Sequence, residues 1–207
     1  MNNSPNALDQ LLLTVTPVLP VPKHGDPIAA LDKSSHRFLI AEDGIWLDLV
    51  RPWLKVRAQI SELVGVKMPV GRLTSHLELP YQIPSNLVRT FADTARQNCT
   101  VEQAAFITFN EHSQEFRLRP VAVISATGSA ITYRCPLLED GEEVVVDMHS
   151  HARHAAGFSA QDNADDAHMV KLSLVFGNCD QPNMTAALRL CALGKFIDLP
   201  FPEEFCK

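Results

Sequence analysis

The sequence has no apolar run approaching the ~20 residues that a membrane-spanning helix needs, so a bilayer location is not expected. It also lacks an excess of positive charge. Eighteen Lys and Arg against 24 Asp and Glu leave a formal net charge of −6, the wrong sign for a domain whose main task is to neutralise phosphates. No positively charged stretch precedes the Leu11-Leu12-Leu13 run, which Pro17 soon ends. The start therefore does not read as a secretory signal, and a cytoplasmic protein is expected. Cysteine is scarce: Cys99, Cys135, Cys179, Cys191 and Cys206 are odd in number and form no C-x-x-C pair, which suits reduced, mostly buried thiols better than a disulfide frame. No repeat of 20 to 50 residues runs through the chain, so a solenoid or propeller is not expected.

What is present is an ordinary globular composition, 46% hydrophobic and 20% charged, in 207 residues. That is enough for one large domain or for a catalytic domain with a small companion. Pro17, Pro20, Pro22, Pro27, Pro52, Pro69, Pro80 and Pro84 argue against long helices in the first part of the chain. Residues 36–41 and 44–50 read as strands joined by a turn at Glu42-Asp43-Gly44, and residues 1–80 as a small β-rich domain. From Ser85 the period changes. Leu87, Val88, Phe91, Ala92 and Ala95 recur at helical spacing, predicting a helix that ends near Asn98. Strand-like stretches follow at 103–109, 116–125 and 129–133, and then a central, largely buried strand at 144–151. A helix over 159–170 and strands at 172–176 and 188–196 complete the pattern, with an irregular tail at 200–205. The expected fold class is α/β in the α+β sense: a mixed sheet flanked by helices over 85–207, with the smaller β-rich domain ahead of it.

Alternate side chains of a strand face the same way, so His149 and His151 project together from one face. After a seven-residue loop, Ser159 and Asp162 stand three apart at a helix start, where the carboxylate can supply a third ligand. Two imidazoles and a carboxylate leave a tetrahedral Zn²⁺ one position for water, as in catalytic sites, whereas structural zinc takes four protein ligands. Such a site lowers the pKa of its water to about 7 and needs a neighbouring base. Taken singly, each half has a plain reading, since Ser159-Ala160-Gln161-Asp162 has the form of a capping box and His-x-His pairs are common. Together at this spacing, the four residues arise by chance on the order of once in a thousand chains of this length, which decides for the metal. Asp147 shares the face of His149 and is a candidate to hydrogen-bond a ligand. His154, His168, Asp165 and Asp166 are left outside the metal shell, acidic residues being favoured near a helix start in any case.

His149-Ser150-His151, seven residues, then Ser159-x-x-Asp162 resembles the metalloprotease motif of the JAMM family, also called JAB or MPN domains, over roughly residues 85 to 200. The family's upstream glutamate, at the start of the strand after its first helix, falls on Glu102, 47 residues before His149. The resemblance implies a hydrolase with zinc on His149, His151 and Asp162. It implies that Glu102 takes the proton of the water and returns it to the departing amine, and that Ser159 helps to stabilise the oxyanion. Glu111, Glu115 and Glu142 are the next choices for the base. The implied substrate is a peptide or isopeptide bond after a ubiquitin-like protein. Length, the β-rich extension and the loop from Ala152 to Phe158 are most similar to the PRTRC system protein A group of bacterial plasmids and integrated elements. That group implies a small ubiquitin-like protein and a ThiF-type activating protein as partners. Two departures stand out: Ala152 follows the second histidine where many members have proline, and Gln103-Ala104-Ala105 follows Glu102 where glycine is common. Two other branches are relevant, non-catalytic MPN scaffolds, which usually lack the ligands this chain keeps, and RadC-like DNA-associated proteins, against which the acidic balance weighs. The role of residues 1–80 and the oligomeric state are not legible.

Overall fold

A computed structural model of the chain describes residues 6–32, 34–202 and 205; Cys206 lies outside them. The chain divides into two compact units, Met1–Gln82 and Ile83–Lys207.

The first unit opens with helix α1 (Ala7–Val15), followed by strands β1 (Val18–Pro20), β2 (Ser35–Ala41), β3 (Gly44–Arg51), β4 (Leu54–Glu62) and β5 (His76–Glu78). The five strands form one sheet in sequential order, with β1 parallel to β2 and the other pairs antiparallel. Ala41 pairs with Gly44 across the turn read from the sequence. Gly44 has φ +150°, and a Cβ there would lie 1.9 Å from the Ser61 carbonyl oxygen, so no larger residue fits. Trp46, Leu47, Leu49, Trp53 and Leu54 are buried and form the body of the sheet's core. One charged pair is buried with them: the Arg37 guanidinium donates to Asp48 Oδ2 at 2.6 and 2.9 Å, and Arg57 reaches Oδ1 at 3.1 Å, so Asp48 is compensated on both oxygens. Four elements, α1, β1, β4 and β5, lie outside the sequence expectation. β4 turns Leu54, Val56 and Ala58 inward. α1, capped by Asn6, buries none of its residues and so lacks the packing that would make its pattern readable.

The second unit contains α2 (Ser85–Gln97), β6 (Ala104–Asn110), β7 (Glu115–Pro120), β8 (Ala122–Ala126), β9 (Ile131–Arg134), β10 (Glu142–Ser150), α3 (Ala160–Asp166), β11 (Val170–Gly177), β12 (Thr185–Ala192) and β13 (Lys195–Leu199). Six of the strands form a mixed sheet in the order β13-β12-β11-β10-β6-β7, and β8 and β9 form a separate hairpin. β10 is interior, parallel to β11 and antiparallel to β6. On one face Val146, Met148 and Ser150 stand in register with Leu172, Leu174 and Phe176. α2 covers that face, burying Val88, Phe91 and Ala95, with the Phe91 ring 6.0 Å from that of Phe176. The opposite face carries Asp147 and His149 and meets α3.

The architecture is the expected α+β, mixed sheets flanked by few helices after a β-rich N-terminal unit. Boundaries differ where apolar runs hide a change of partner. Residues 116–125 are two strands, β7 in the main sheet and β8 in the hairpin. Residues 188–196 fall on two strands, turning at Leu193 and Gly194, both at positive φ. α3 stops at Asp166, because from Val170 the chain pairs with Ala192 as β11 begins.

Candidate metal centre

His149 is next to last in β10 and His151 follows its end, both on the face away from α2. His149 Nε2 lies 3.2 Å from His151 Nε2 and 3.4 Å from Asp162 Oδ1, and His151 Nε2 is 4.0 Å from Asp162 Oδ2. One ligand atom from each of the three lies within 4.8 Å of the others. A tetrahedral ion with zinc–nitrogen bonds of about 2.0–2.1 Å separates its ligand atoms by roughly 3.3 Å, so the two spacings made by His149 already suit zinc. Burial lowers the pKa of His149 despite the opposing pull of Asp162 and Asp147, which keeps its ligand lone pair free near neutrality.

Asp162 is oriented by the cap of α3. Its Oδ2 accepts from the Ser159 N–H at 2.6 Å and the Ser159 hydroxyl at 2.7 Å, and its own N–H donates to Ser159 Oγ at 3.1 Å. The capping box therefore holds one oxygen and turns the other to His149. The loop from the histidines to this cap is fixed by main-chain bonds: His154 N–H to His151 O at 2.8 Å, Asn178 N–H to His154 O at 2.7 Å, and Cys179 N–H to Ala152 O at 2.8 Å. Ala152 is buried at φ +48°, a conformation closed to proline, whose ring fixes φ near −65°. The departure noted at this position is thus a departure in backbone path.

Register explains Glu102. β6 runs antiparallel to β10 with Ala104 opposite His149, and the Gln103 carbonyl accepts from Ser150 N–H at 2.9 Å, so the residue just before β6 arrives at the histidine end of the sheet. Glu102 is 7% exposed, and burial, then the charge of Asp162, raise its pKa from 4.5 to about 7. Glu102, His149, His151, Ser159 and Asp162 line one cavity of about 360 Å³. The other glutamates considered lie elsewhere. Glu142 pairs with Asn110 at the far end of the β6 and β10 ladder, seven residues from His149 and so roughly 20 Å away. Burial pushes its carboxyl up, but hydrogen bonds from Arg119, the Glu139 N–H and Thr108 outweigh this and hold it at about 2. Glu111 and Glu115 flank the β6 to β7 turn at that same end.

The carboxylate of Asp147 goes to Lys171, not to a histidine. His154 and Asp165 line the cavity, as do Ser129, Ile131 and Tyr133 of the β8 and β9 hairpin, which the sequence pattern left as plain strand. Their only signal was the apolar and aromatic alternation of β9. His168 is exposed, and no cysteine among the described residues lines the cavity.

Comparison with known proteins follows this division of the chain. Residues 6–80 match a domain of unknown function, DUF2016. No curated protein matches the chain. The solution structure of protein DSY2949 from Desulfitobacterium hafniense aligns with a TM-score of 0.41 at 13% identity, over 55% of this chain and 86% of that one. Residues 84–191, just over half of the chain and all of the cavity, match the model of the prokaryotic homologs of the JAB domain, and the chain belongs to that family.

Proposed function

We propose that this chain is a JAMM-type zinc metallopeptidase that hydrolyses the peptide or isopeptide bond at the C-terminal tail of a ubiquitin-like protein. The observation that carries the reading is the convergence, in one cavity, of a two-imidazole, one-carboxylate donor set with a buried glutamate that titrates near neutrality. Scaffold domains need no such glutamate.

Held by His149, His151 and Asp162, a zinc ion would supply a Lewis acid and a water of near-neutral pKa. Glu102 does the proton work. A carboxylate titrating near 7 takes a proton from water and, once protonated, is acidic enough to return it to the leaving nitrogen, so one residue serves both half-steps. Ser159 now donates its hydroxyl to Asp162; turned into the cavity, that O–H would donate to the carbonyl oxygen as charge develops. Single donors of this kind are worth about 2.7–4 kcal/mol. The loop's resemblance to the PRTRC system protein A group makes a small ubiquitin-like protein the substrate we favour and a ThiF-type protein a companion.

The test is metal analysis of the purified protein together with cleavage of a ubiquitin-like protein carrying a C-terminal extension. Stoichiometric zinc, cleavage by the parent, and loss of cleavage in Glu102→Gln with zinc retained are expected. Full cleavage by Glu102→Gln removes Glu102 from the mechanism, and a parent without zinc removes the metallopeptidase.

A further inference from the structure

α3 carries Asp162 yet is only seven residues long, and its one buried residue is a charge, Asp166. A helix this short does not hold itself together in water, and this one has no apolar stripe pressed into the core. Its attachment is ionic. Asp166 Oδ1 receives Lys171 Nζ at 2.8 Å, and Oδ2 accepts from Arg189 Nη2 at 2.6 Å and Ser173 Oγ at 2.8 Å. Arg189 also donates to Asn163 Oδ1 at 2.5 Å, and its guanidinium is stacked between the rings of Phe158 and Phe196, 3.8 and 4.1 Å from their centroids.

Lys171 goes further, because the same ammonium that holds Asp166 also binds Asp147 of β10. Asp147 precedes His149 by two residues, one strand period, and Asp166 follows Asp162 by four, one helical turn. The two carboxylates on Lys171 are therefore each one structural period from a metal-ligand candidate, on the same two elements and the same sides of them. Fixing the separation of Asp147 and Asp166 fixes that of His149 and Asp162. Lys171 is 6% exposed, so the bridge is shielded from water and salt.

We propose that Lys171 is a positioning residue for the metal centre: by clamping β10 to α3 it sets the spacing of His149 and Asp162 before metal arrives, without touching either ligand. The inference rests on the reading of His149, His151 and Asp162 as a metal site. It predicts a sign that charge alone does not. A buried ammonium beside the site opposes a dication, so if Lys171 were only a charge, removing it would tighten zinc binding. If it is a clamp, removing it weakens binding, by the 10- to 100-fold typical of outer partners of metal ligands.

Zinc affinity is measured by competition with a chromophoric chelator on three proteins: parent, Lys171→Met, and the double variant Asp147→Asn with Lys171→Met. The double variant keeps the parent's net charge and leaves Asp166 paired with Arg189, so it retains its fold even where the single variant, with Asp147 stranded, does not. Expected is a loss of zinc affinity of 10-fold or more in the double variant, and in Lys171→Met where it folds, with the far-UV spectrum of the parent. A double variant that binds zinc within 2-fold of the parent, or a folded Lys171→Met that binds it more tightly, overturns the clamp. A parent that binds no zinc overturns the metal reading and the clamp with it, an outcome distinct from equal binding by all three.

Discussion

Glu102→Gln should make the metal-free protein more stable while ending its activity. Burial and the charge of Asp162 lift the Glu102 carboxyl from 4.5 to about 7 in the folded state, whereas in the unfolded chain it stays near its ordinary value. An acid whose folded pKa is raised binds its proton more tightly folded than unfolded, so stability falls as pH rises through the interval between the two values. Below about pH 4.5 the carboxyl is protonated in both states and costs nothing; above about pH 7 the full penalty is present. At 1.36 kcal/mol per pH unit the penalty is about 3 kcal/mol, and at 7% exposure solvent does little to screen it. Glutamine has nearly the same shape and no charge to lose.

Thermal melts of chelator-treated parent and Glu102→Gln between pH 5 and 8 read this directly. The variant should melt higher at pH 8, by roughly 9 °C at about 3 °C for each kcal/mol in a chain of this size, with the gap closing toward pH 5. Zinc, a cation that favours the carboxylate, should narrow the gap at pH 8. Two melting curves that coincide at pH 8, or a variant that melts lower there, would refute the argument that Glu102 is held against its preferred charge.

Other perturbations probe the loop and the metal. Ala152→Pro should destabilise the protein by more than about 1 kcal/mol and weaken zinc binding, because φ +48° is closed to proline; Ala152→Gly should stay within about 1 kcal/mol of the parent, as melts of the two variants would show. Gly177→Ala puts a Cβ 2.1 Å from the Ala156 main-chain nitrogen, so the loop must move; a cost of about 1–3 kcal/mol and a drop in zinc affinity by chelator competition are expected. Zinc at a hundred times its Kd should stabilise the parent by about 2.7 kcal/mol in a melt. That gain should fade as pH is lowered below histidine's ordinary 6.5 or so, since an imidazole binds metal only when neutral. His149, its pKa lowered by burial, keeps its lone pair to more acid pH than an exposed histidine does. A zinc-induced rise that is unchanged at pH 5 would argue against imidazole ligands.

The sequence made legible whatever is set by local period. The hairpin at Glu42-Asp43-Gly44, the apolar face of α2 and the central position of β10 all follow from spacings within about ten residues. So do the shared face of His149 and His151 and the helix start at Ser159, which are short-range rules, whereas the loop that brings Asp162 to the histidines is held by bonds to Asn178 and Cys179. What was not legible is set by partners distant in the chain. That Asp147 turns to Lys171, 24 residues on, depends on β11 pairing parallel to β10, which no local pattern fixes. The split of residues 116–125 between two sheets is likewise a choice of partner. Glu102 came from resemblance; its physical reason, Ala104 standing opposite His149, is a register of two strands with some 45 residues between them.

Ser159-Ala160-Gln161-Asp162 shows why motif and cap should not be treated as rival readings. A capping box exists to satisfy the orphan donors of a helix start, and here it does so, with Asp162 N–H on Ser159 Oγ while Ser159 N–H and O–H both donate to Asp162 Oδ2. Those two bonds also remove the carboxylate's freedom to rotate. With Oδ2 engaged, Oδ1 is the oxygen left facing His149 at 3.4 Å, so the cap selects which atom a metal meets and from which direction. In the proposed mechanism the same serine hydroxyl that donates to Asp162 would also donate to the substrate's carbonyl oxygen. Turning it there loosens one of the two bonds that aim Asp162. Under that proposal, capping, ligand orientation and oxyanion stabilisation would draw on one hydroxyl, and the Ser159 main-chain N–H, which needs no such turn, would keep Asp162 aimed when the hydroxyl leaves.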